Sequence, residues 1–354
     1  MTFKVTVQPS GRAFDVEAGE AILQAAIRQG IGMPYGCKDG ACGSCKCKKL
    51  EGTVALGVHQ AKALSAEEEA AGYILTCVGV PQGDLILESK QVTDESAFPV
   101  RKMPSRVLTL DKRSHDVMVV RMQLPANDTL RYHAGQYVEF ILRDGSRRSY
   151  SMANAPHTQM QTTAAGTSAP VIELHLRHMP GGKFTDHVFT AMKEKEILRL
   201  EGPFGSFYLR EDSGKPMVLL ASGTGFAPIK ALIEHIHFRG IQRPMTLYWG
   251  GRRPGDLYLD DWVKTQMQSM PNLRYVPVIS NALPEDNWTG RTGFVHKAVM
   301  EDFPDLSGFQ VYACGAPVVV DSARAEYSAL AKLPPEEFYA DAFTTEADKH
   351  GTTA

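Results

Sequence analysis

The sequence predicts a multi-domain chain of α+β and α/β architecture. A small mixed module comes first, then an antiparallel β-barrel, then a parallel sheet flanked by helices. Three observations carry that expectation. Five of the six cysteines (Cys37, Cys42, Cys45, Cys47 and Cys77) fall in the first 77 of 354 residues, which marks a small module built around cysteine chemistry. Between 106 and 201, short segments of alternating apolar and polar residues recur between Gly, Asp and Asn turns, the pattern of an antiparallel barrel. Residues 217–221 (MVLLA) form a continuous apolar run that leads into SGTGFAP and an amphipathic helix, the start of a buried parallel βα unit.

Composition narrows the function classes. With 38 Lys and Arg against 40 Asp and Glu, the net charge is −2 and both signs are interspersed, which excludes the basic footprint of a nucleic-acid or anionic-membrane binder. No apolar run approaches the ~20 residues that span a bilayer. The opening segment, MTFKVTVQPSGRAF, alternates in polarity and lacks the apolar core of a signal peptide. The expected location is cytoplasmic, where clustered cysteines bind metal or do redox chemistry more often than they form structural disulfides.

In the first module, residues 4–7 and 12–16 read as a strand pair around a Pro-Ser-Gly turn. Residues 20–29 (EAILQAAIRQ) have helical apolar spacing and end at Gly30, and 46–51 and 85–88 read as further strands. The cysteines read Cys37-x4-Cys42-x2-Cys45, with Cys77 following after 31 residues. That spacing matches four thiolates holding a [2Fe–2S] cluster. Three ligands within nine residues force the backbone to wrap the cluster. Gly36, Gly40 and Gly43 permit positive φ and leave amide N–H groups room to point at the sulfurs. Zinc also takes four cysteines, but structural zinc uses paired C-x2-C knuckles, and Cys77 stands alone. Cys47 reads as a small buried hydrophobe on the next strand. Residues 1–90 resemble the plant-type ferredoxins, which implies a β-grasp fold with Cys37, Cys42, Cys45 and Cys77 as the metal ligands.

Residues 91–104 lie in a polar stretch with two prolines and no periodicity, and read as a linker to a barrel over 105–208. The barrel's strands are expected at 106–110, 116–124, 137–142, 172–177 and 197–201, with residues 157–170, poor in large apolars, as a mobile hairpin tip. Two segments there carry chemistry. Arg148, Tyr150 and Ser151 at a strand end offer a phosphate clamp, a ring to stack on and a hydroxyl. In MPGGKFT, two glycines open a helix whose free N–H groups and dipole suit a pyrophosphate.

The third module is expected over 209–354, with strands at 217–221, 245–249, 274–279 and 310–314. Its turn, Ser222-Gly223-Thr224-Gly225-Phe226-Ala227-Pro228, departs from G-x-G-x-x-G by carrying Pro228 as its last residue. Proline is tolerated in a helix's first turn. The last strand runs into Cys314-Gly315-Ala316-Pro317. After Trp249-Gly250-Gly251 come Arg252 and Arg253, with no acidic residue at the spot that hydrogen-bonds an NAD ribose. An arginine there can accept a 2′-phosphate.

In order, RRSYS, the GGKFT turn, G-x-G-x-x-P and C-G-x-P resemble the ferredoxin–NADP reductase superfamily over residues 1–343. The resemblance implies a flavin-binding barrel and a nicotinamide-binding parallel-sheet domain. It implies that Arg148 meets the flavin phosphates, Tyr150 packs on the isoalloxazine, and Ser151 lies near its N5. Gly182, Lys183 and Thr185 would supply the second pyrophosphate contact. Gly223, Thr224, Gly225, Pro228, Arg252 and Gly315 would hold the dinucleotide, with Cys314 beside the nicotinamide and Phe343 covering the flavin face. The implied cofactors are a [2Fe–2S] cluster, FAD and NADH, with NADPH as the alternative donor. Members that join an N-terminal ferredoxin to these modules include the CDP-6-deoxy-Δ3,4-glucoseen reductase-like and benzoate dioxygenase reductase-like proteins. The resemblance therefore implies an NAD(P)H-dependent electron-transfer reductase acting on a partner protein. An oxygenase component is the favoured partner and a sugar-deoxygenating enzyme the alternative; a redox sensor would need no flavin clamp or nicotinamide turn.

Overall fold

A computed structural model describes residues 1–92, 98–127, 130–162, 166 and 168–345. One unit consists mainly of residues 1–99, the other of residues 100–204 and 208–339.

In the first unit, alternation places Val5 and Val7 of Thr2–Gln8, and Phe14 and Val16 of Arg12–Glu17, in the core. The five-stranded sheet runs Arg12–Glu17, Thr2–Gln8, Leu85–Glu88, Lys46–Glu51, Tyr73–Leu75. Thr2–Gln8 and Leu85–Glu88 pair in parallel, so the first and last strands of the module lie side by side at its centre. Helix Ile22–Arg28 buries Ile22, Leu23, Ala25 and Ala26. This is a β-grasp arrangement. The short helix Ala66–Ala70, which the sequence reading missed, begins at a capping box: the Ser65 hydroxyl accepts from Glu68 N–H, and Glu68 accepts from Ser65 N–H.

The barrel sheet runs Arg147–Ser151, Tyr137–Ile141, Ile197–Phe204, Arg101–Lys112, Val117–Gln123, Ser168–Arg177, Met160–Thr162. Among the described residues these strands pair antiparallel throughout. A bridge between Met152 and Leu174 joins the first strand to the sixth and closes the barrel. Its interior is filled by residues such as Phe140, Met152, Ile172, Leu174 and Leu200.

Strand Arg101–Lys112 begins inside the stretch expected as linker. Arg101–Pro104 pair with Gly202–Arg199, and Met103, Ser105 and Val107 alternate inward. Pro104 disguised the strand in the sequence. It sits where only one neighbouring strand is paired, since pairing to Val117–Gln123 starts at Arg106, so its missing N–H need not break a ladder. Residues 93–97 of that linker lie outside the described residues. The hairpin expected at 157–170 forms between Met160–Thr162 and Ser168–Pro170, and residues 163–165 and 167 of its tip also lie outside them.

The third module is a six-stranded sheet in the order Arg291–Thr292, Leu273–Ile279, Met245–Gly251, Met217–Ser222, Gln310–Gly315, Phe338–Ala342. The first five strands pair in parallel. Buried on both faces, Met217–Ala221 is apolar throughout. Among the described residues no helix is long and apolar enough to cross a membrane.

Candidate functional site

The cysteine loop has no regular secondary structure between Gly36 and Cys45, so its shape is set residue by residue. Gly40 and Gly43 take positive φ (80° and 72°), as the spacing predicts, but Gly36 does not; the third left-handed position is Lys38, at φ 69°. Gly36 answers a different need. A Cβ there would lie 3.3 Å from Sγ of Cys42 and 3.5 Å from Oγ of Ser44. The expected ligands lie in two pairs: Sγ of Cys45 is 3.2 Å from Sγ of Cys77, and the N–H of Cys37 donates to Sγ of Cys42 at 3.4 Å.

The Cys42 sulfur is held as a thiolate, whereas bonding to Cys42 and to Cys45, together with burial, pushes the Cys37 and Cys77 thiols up. Hydrogen bonds from the Cys37 thiol, and from the N–H groups of Cys37 and Ser44, bring the Cys42 thiol down to about 5 despite burial. The N–H of Gly40 points at Cys77. Backbone donors at two of the four sulfurs, those of Cys42 and Cys77, fit a [2Fe–2S] group, whose negative charge grows on reduction. Cys47 differs. Buried opposite Ile74 on strand Lys46–Glu51, its thiol is pushed up to about 12 by burial and by the nearby Cys45.

In the barrel, Arg148 and Tyr150 share one face of strand Arg147–Ser151, opposite Phe140 and Val138. The Tyr150 ring lies 5.5 Å from that of Phe184 and 6.1 Å from that of Phe140. Ser151 is buried, opposite Tyr137 on the other face. Arg147, which the sequence reading passed over, is committed to Glu139 at 3.0 Å and to Glu201. The two motifs read separately in the sequence meet here. Nζ of Lys183 pairs at 2.7 Å with Asp144, in the turn that leads into the Arg148 strand. Helix Lys183–Thr190 starts after Gly182 with no side-chain cap. Thr185 does not point outward from that end: its hydroxyl donates to the Met179 carbonyl at 3.0 Å and accepts from the Met179 N–H at 3.2 Å. Thr185 therefore shapes the turn. A Cβ on Gly182 would come within 2.8 Å of the Met179 carbonyl, which explains the glycine.

At the parallel sheet, Ala221 pairs with Cys314, so the C-terminal ends of two strands lie side by side. A Cβ on Gly225 would overlap the Cys314 carbonyl and lie 2.6 Å from Cα of Gly315. Gly315, at φ 127°, would likewise place a Cβ on the main chain of Ser222. The two glycines interlock the turn before helix Phe226–Phe238 with the end of strand Gln310–Gly315. Pro228 sits in that helix's first turn. Gly223, at φ 54°, has its carbonyl held at 3.0 Å by the Trp249 indole N–H, an anchor that the sequence reading missed. Thr224 and Cys314 are buried within this junction.

Arg252 is exposed, and its N–H, like that of Arg253, donates to Asp256. The Arg253 guanidinium is bidentate on Asp286 at 2.7 Å for both bonds and lies 3.5 Å from Glu285. Phe343 is half-buried, one residue past strand Phe338–Ala342.

Residues 5–82 match the 2Fe-2S iron-sulfur cluster binding domain, 105–208 the oxidoreductase FAD-binding domain, and 219–325 the oxidoreductase NAD-binding domain. A CDP-6-deoxy-L-threo-D-glycero-4-hexulose-3-dehydrase reductase from Yersinia pestis is 38% identical over 346 residues, covering 97% of this chain and 99% of that one. The terephthalate 1,2-dioxygenase reductase component 2 of Comamonas is 33% identical over 354 residues, covering 99% and 100%. Among solved structures, a cytochrome P450 reductase from Amycolatopsis superposes with a TM-score of 0.76 at 33% identity, covering 97% and 99%. The chain therefore belongs to the family of NAD(P)H-dependent reductases that carry electrons through FAD and a [2Fe–2S] cluster to a partner.

Proposed function

We propose that electrons enter where Thr224 and Cys314 meet, pass the strand bearing Arg148, Tyr150 and Ser151, and leave through Cys37, Cys42, Cys45 and Cys77. The observation that carries this reading is the Gly225–Gly315 interlock, which holds the proposed dinucleotide turn against Cys314. When bound, the flavin takes a hydride and gives electrons up singly, linking a two-electron donor to a one-electron cluster. The chain's own residues bind and orient. Arg148 and the first turn of Lys183–Thr190 meet phosphate, Tyr150 offers its ring, and Ser151 presents a buried hydroxyl. Phe343 is proposed as the aromatic that covers the flavin. The test is NADH oxidation by the holoenzyme with ferricyanide and cytochrome c as acceptors; failure to turn over either one sinks the reading.

If Tyr150 packs on the flavin, Tyr150→Ala loses a stacked ring worth about 1 kcal/mol beyond its buried area. The expected result is FAD retention reduced several-fold on gel filtration with the cluster absorbance intact. Unchanged flavin content would remove the stacking role.

The donor is proposed to be NADH. Arg253 is already satisfied by Asp286, and the Glu285 and Asp286 carboxylates beside it would repel a 2′-phosphate. The kcat/KM for NADH should exceed that for NADPH by at least about tenfold, the equivalent of 1.4 kcal/mol. Asp286→Ala should narrow the ratio; equal use of both donors by the unsubstituted enzyme would refute the assignment.

The acceptor is proposed to be an oxygenase component, a role supported by the terephthalate dioxygenase reductase likeness. The 38% identity to the hexulose-3-dehydrase reductase favours a second reading, in which the partner deoxygenates a nucleotide sugar. Pull-down under reducing conditions separates the two by the partner recovered.

A further inference from the structure

Helix Phe226–Phe238 carries Ile229, Leu232, Ile233 and Ile236 on its apolar stripe, all fully buried. Lys230 and Glu234 look like an ordinary i, i+4 surface pair, yet Lys230 is only 6% exposed. Its ammonium sits 2.6 Å from Glu234 and 3.2 Å from Glu173, and donates to the Ala153 carbonyl at 3.1 Å. The second oxygen of Glu234 accepts the N–H of Ala155 at 2.8 Å. The indole of Trp262 lies 5.2 Å from the same ammonium.

These contacts join two pieces of chain given separate tasks above. Ala153 and Ala155 lie two and four residues past Ser151, and the helix of Lys230 and Glu234 directly follows the Gly223–Gly225 turn. Glu173 is itself held. Burial would push its carboxyl up, but the bond from His175 and the charges of Lys230 and Arg121 keep it below the usual carboxylate range. His175, whose pKa burial pushes down, meets Glu173 through Nε2 at 3.1 Å and the Tyr258 hydroxyl through Nδ1 at 2.8 Å. A buried charge satisfied on every side fixes geometry because no partner can shift without leaving another unpaired.

We propose that Lys230, with Glu234, is a positioning residue for hydride transfer. It ties the main chain after Ser151 to the helix behind the nicotinamide turn, and so sets the distance between the flavin strand and the donor. The proposal rests on the entry site proposed above.

The test compares Lys230→Met, Lys230→Arg and Glu234→Gln in the holoenzyme. Stopped-flow should show flavin reduction by NADH slowed roughly 10²-fold in Lys230→Met, the effect of about 1 Å of misplacement. NADH affinity should stay within about threefold, flavin and cluster content should be unchanged, and Lys230→Arg should recover most of the rate. Hydrogen exchange at the Ala155 amide should quicken in both Lys230→Met and Glu234→Gln. A full rate in Lys230→Met, or unaltered exchange at Ala155, overturns the proposal. If Lys230→Met does not fold, the near-isosteric Glu234→Gln decides by the same two readouts. Ser151→Ala and Cys314→Ala separate the underlying reading: if neither slows flavin reduction, the entry site is wrong. If they slow it and Lys230→Met does not, the positioning role alone fails.

Discussion

Cys45→Ser is expected to abolish the visible absorption of the [2Fe–2S] cluster and to lower cytochrome c reduction by more than about 10²-fold, while ferricyanide reduction through the flavin stays within about threefold. The size of the effect follows from the loop. Cys45 is 2% exposed, and its sulfur lies 3.2 Å from that of Cys77. A serine hydroxyl there is shorter, far less acidic than a thiol and a poor iron ligand, so the set of four falls to three. The loop between Gly36 and Cys45 has no helix or strand to hold it otherwise. Cluster binding and loop order should therefore be lost together. Cys47→Ala is the matched control. Cys47 is as deeply buried but sits on strand Lys46–Glu51 facing Ile74, with its thiol pushed up, so the cluster should survive. Equal loss of both activities in Cys45→Ser would contradict an order in which electrons reach the flavin first and the cluster second.

The cysteine loop was legible because its ligands are close in sequence and the turns between them need glycine. The parallel strands were legible because burial on both faces leaves an unbroken apolar run, as at Met217–Ala221. Where the deciding partner is far away, the sequence was silent or misleading. Pro104 reads as a strand breaker, and only the one-sided pairing of Arg101–Pro104 shows why it is tolerated. Lys230 and Glu234 have the spacing of a solvated pair, and nothing within their helix announces that Glu173, 57 positions earlier, meets them in the interior. Thr185 belongs to a recognisable glycine turn, but its hydroxyl is turned onto Met179 by the turn's own geometry. Side-chain direction at a loop is set by local dihedrals, which residue type alone does not specify.

The same distance effect makes Gly225→Ala the second large prediction. The G-x-G-x-x-P pattern identifies Gly225 as a turn residue, and flexibility would be the usual reason for the glycine. Flexibility is not the reason here, because Gly225 has φ −57° and ψ −12°, helical values that alanine adopts readily. The obstacle is steric and comes from 90 residues away. A Cβ would overlap the Cys314 carbonyl and lie 2.6 Å from Cα of Gly315, backbone that no rotamer change can clear. Either the Thr224 turn or the end of strand Gln310–Gly315 must move. Overpacking of this kind costs about 1–3 kcal/mol of stability. The larger consequence is for the site, since a shift near 1 Å between Thr224 and Cys314 should lower NADH-dependent flavin reduction by roughly 10²-fold. FAD and cluster content should be unaffected, because neither the Arg148 strand nor the cysteine loop is touched. Gly214→Ala supplies the comparison: a Cβ there meets nothing within 4 Å, so its stability should change by less than about 0.5 kcal/mol. Normal NADH kinetics in Gly225→Ala would mean that the junction of the two strand ends is not where the donor binds.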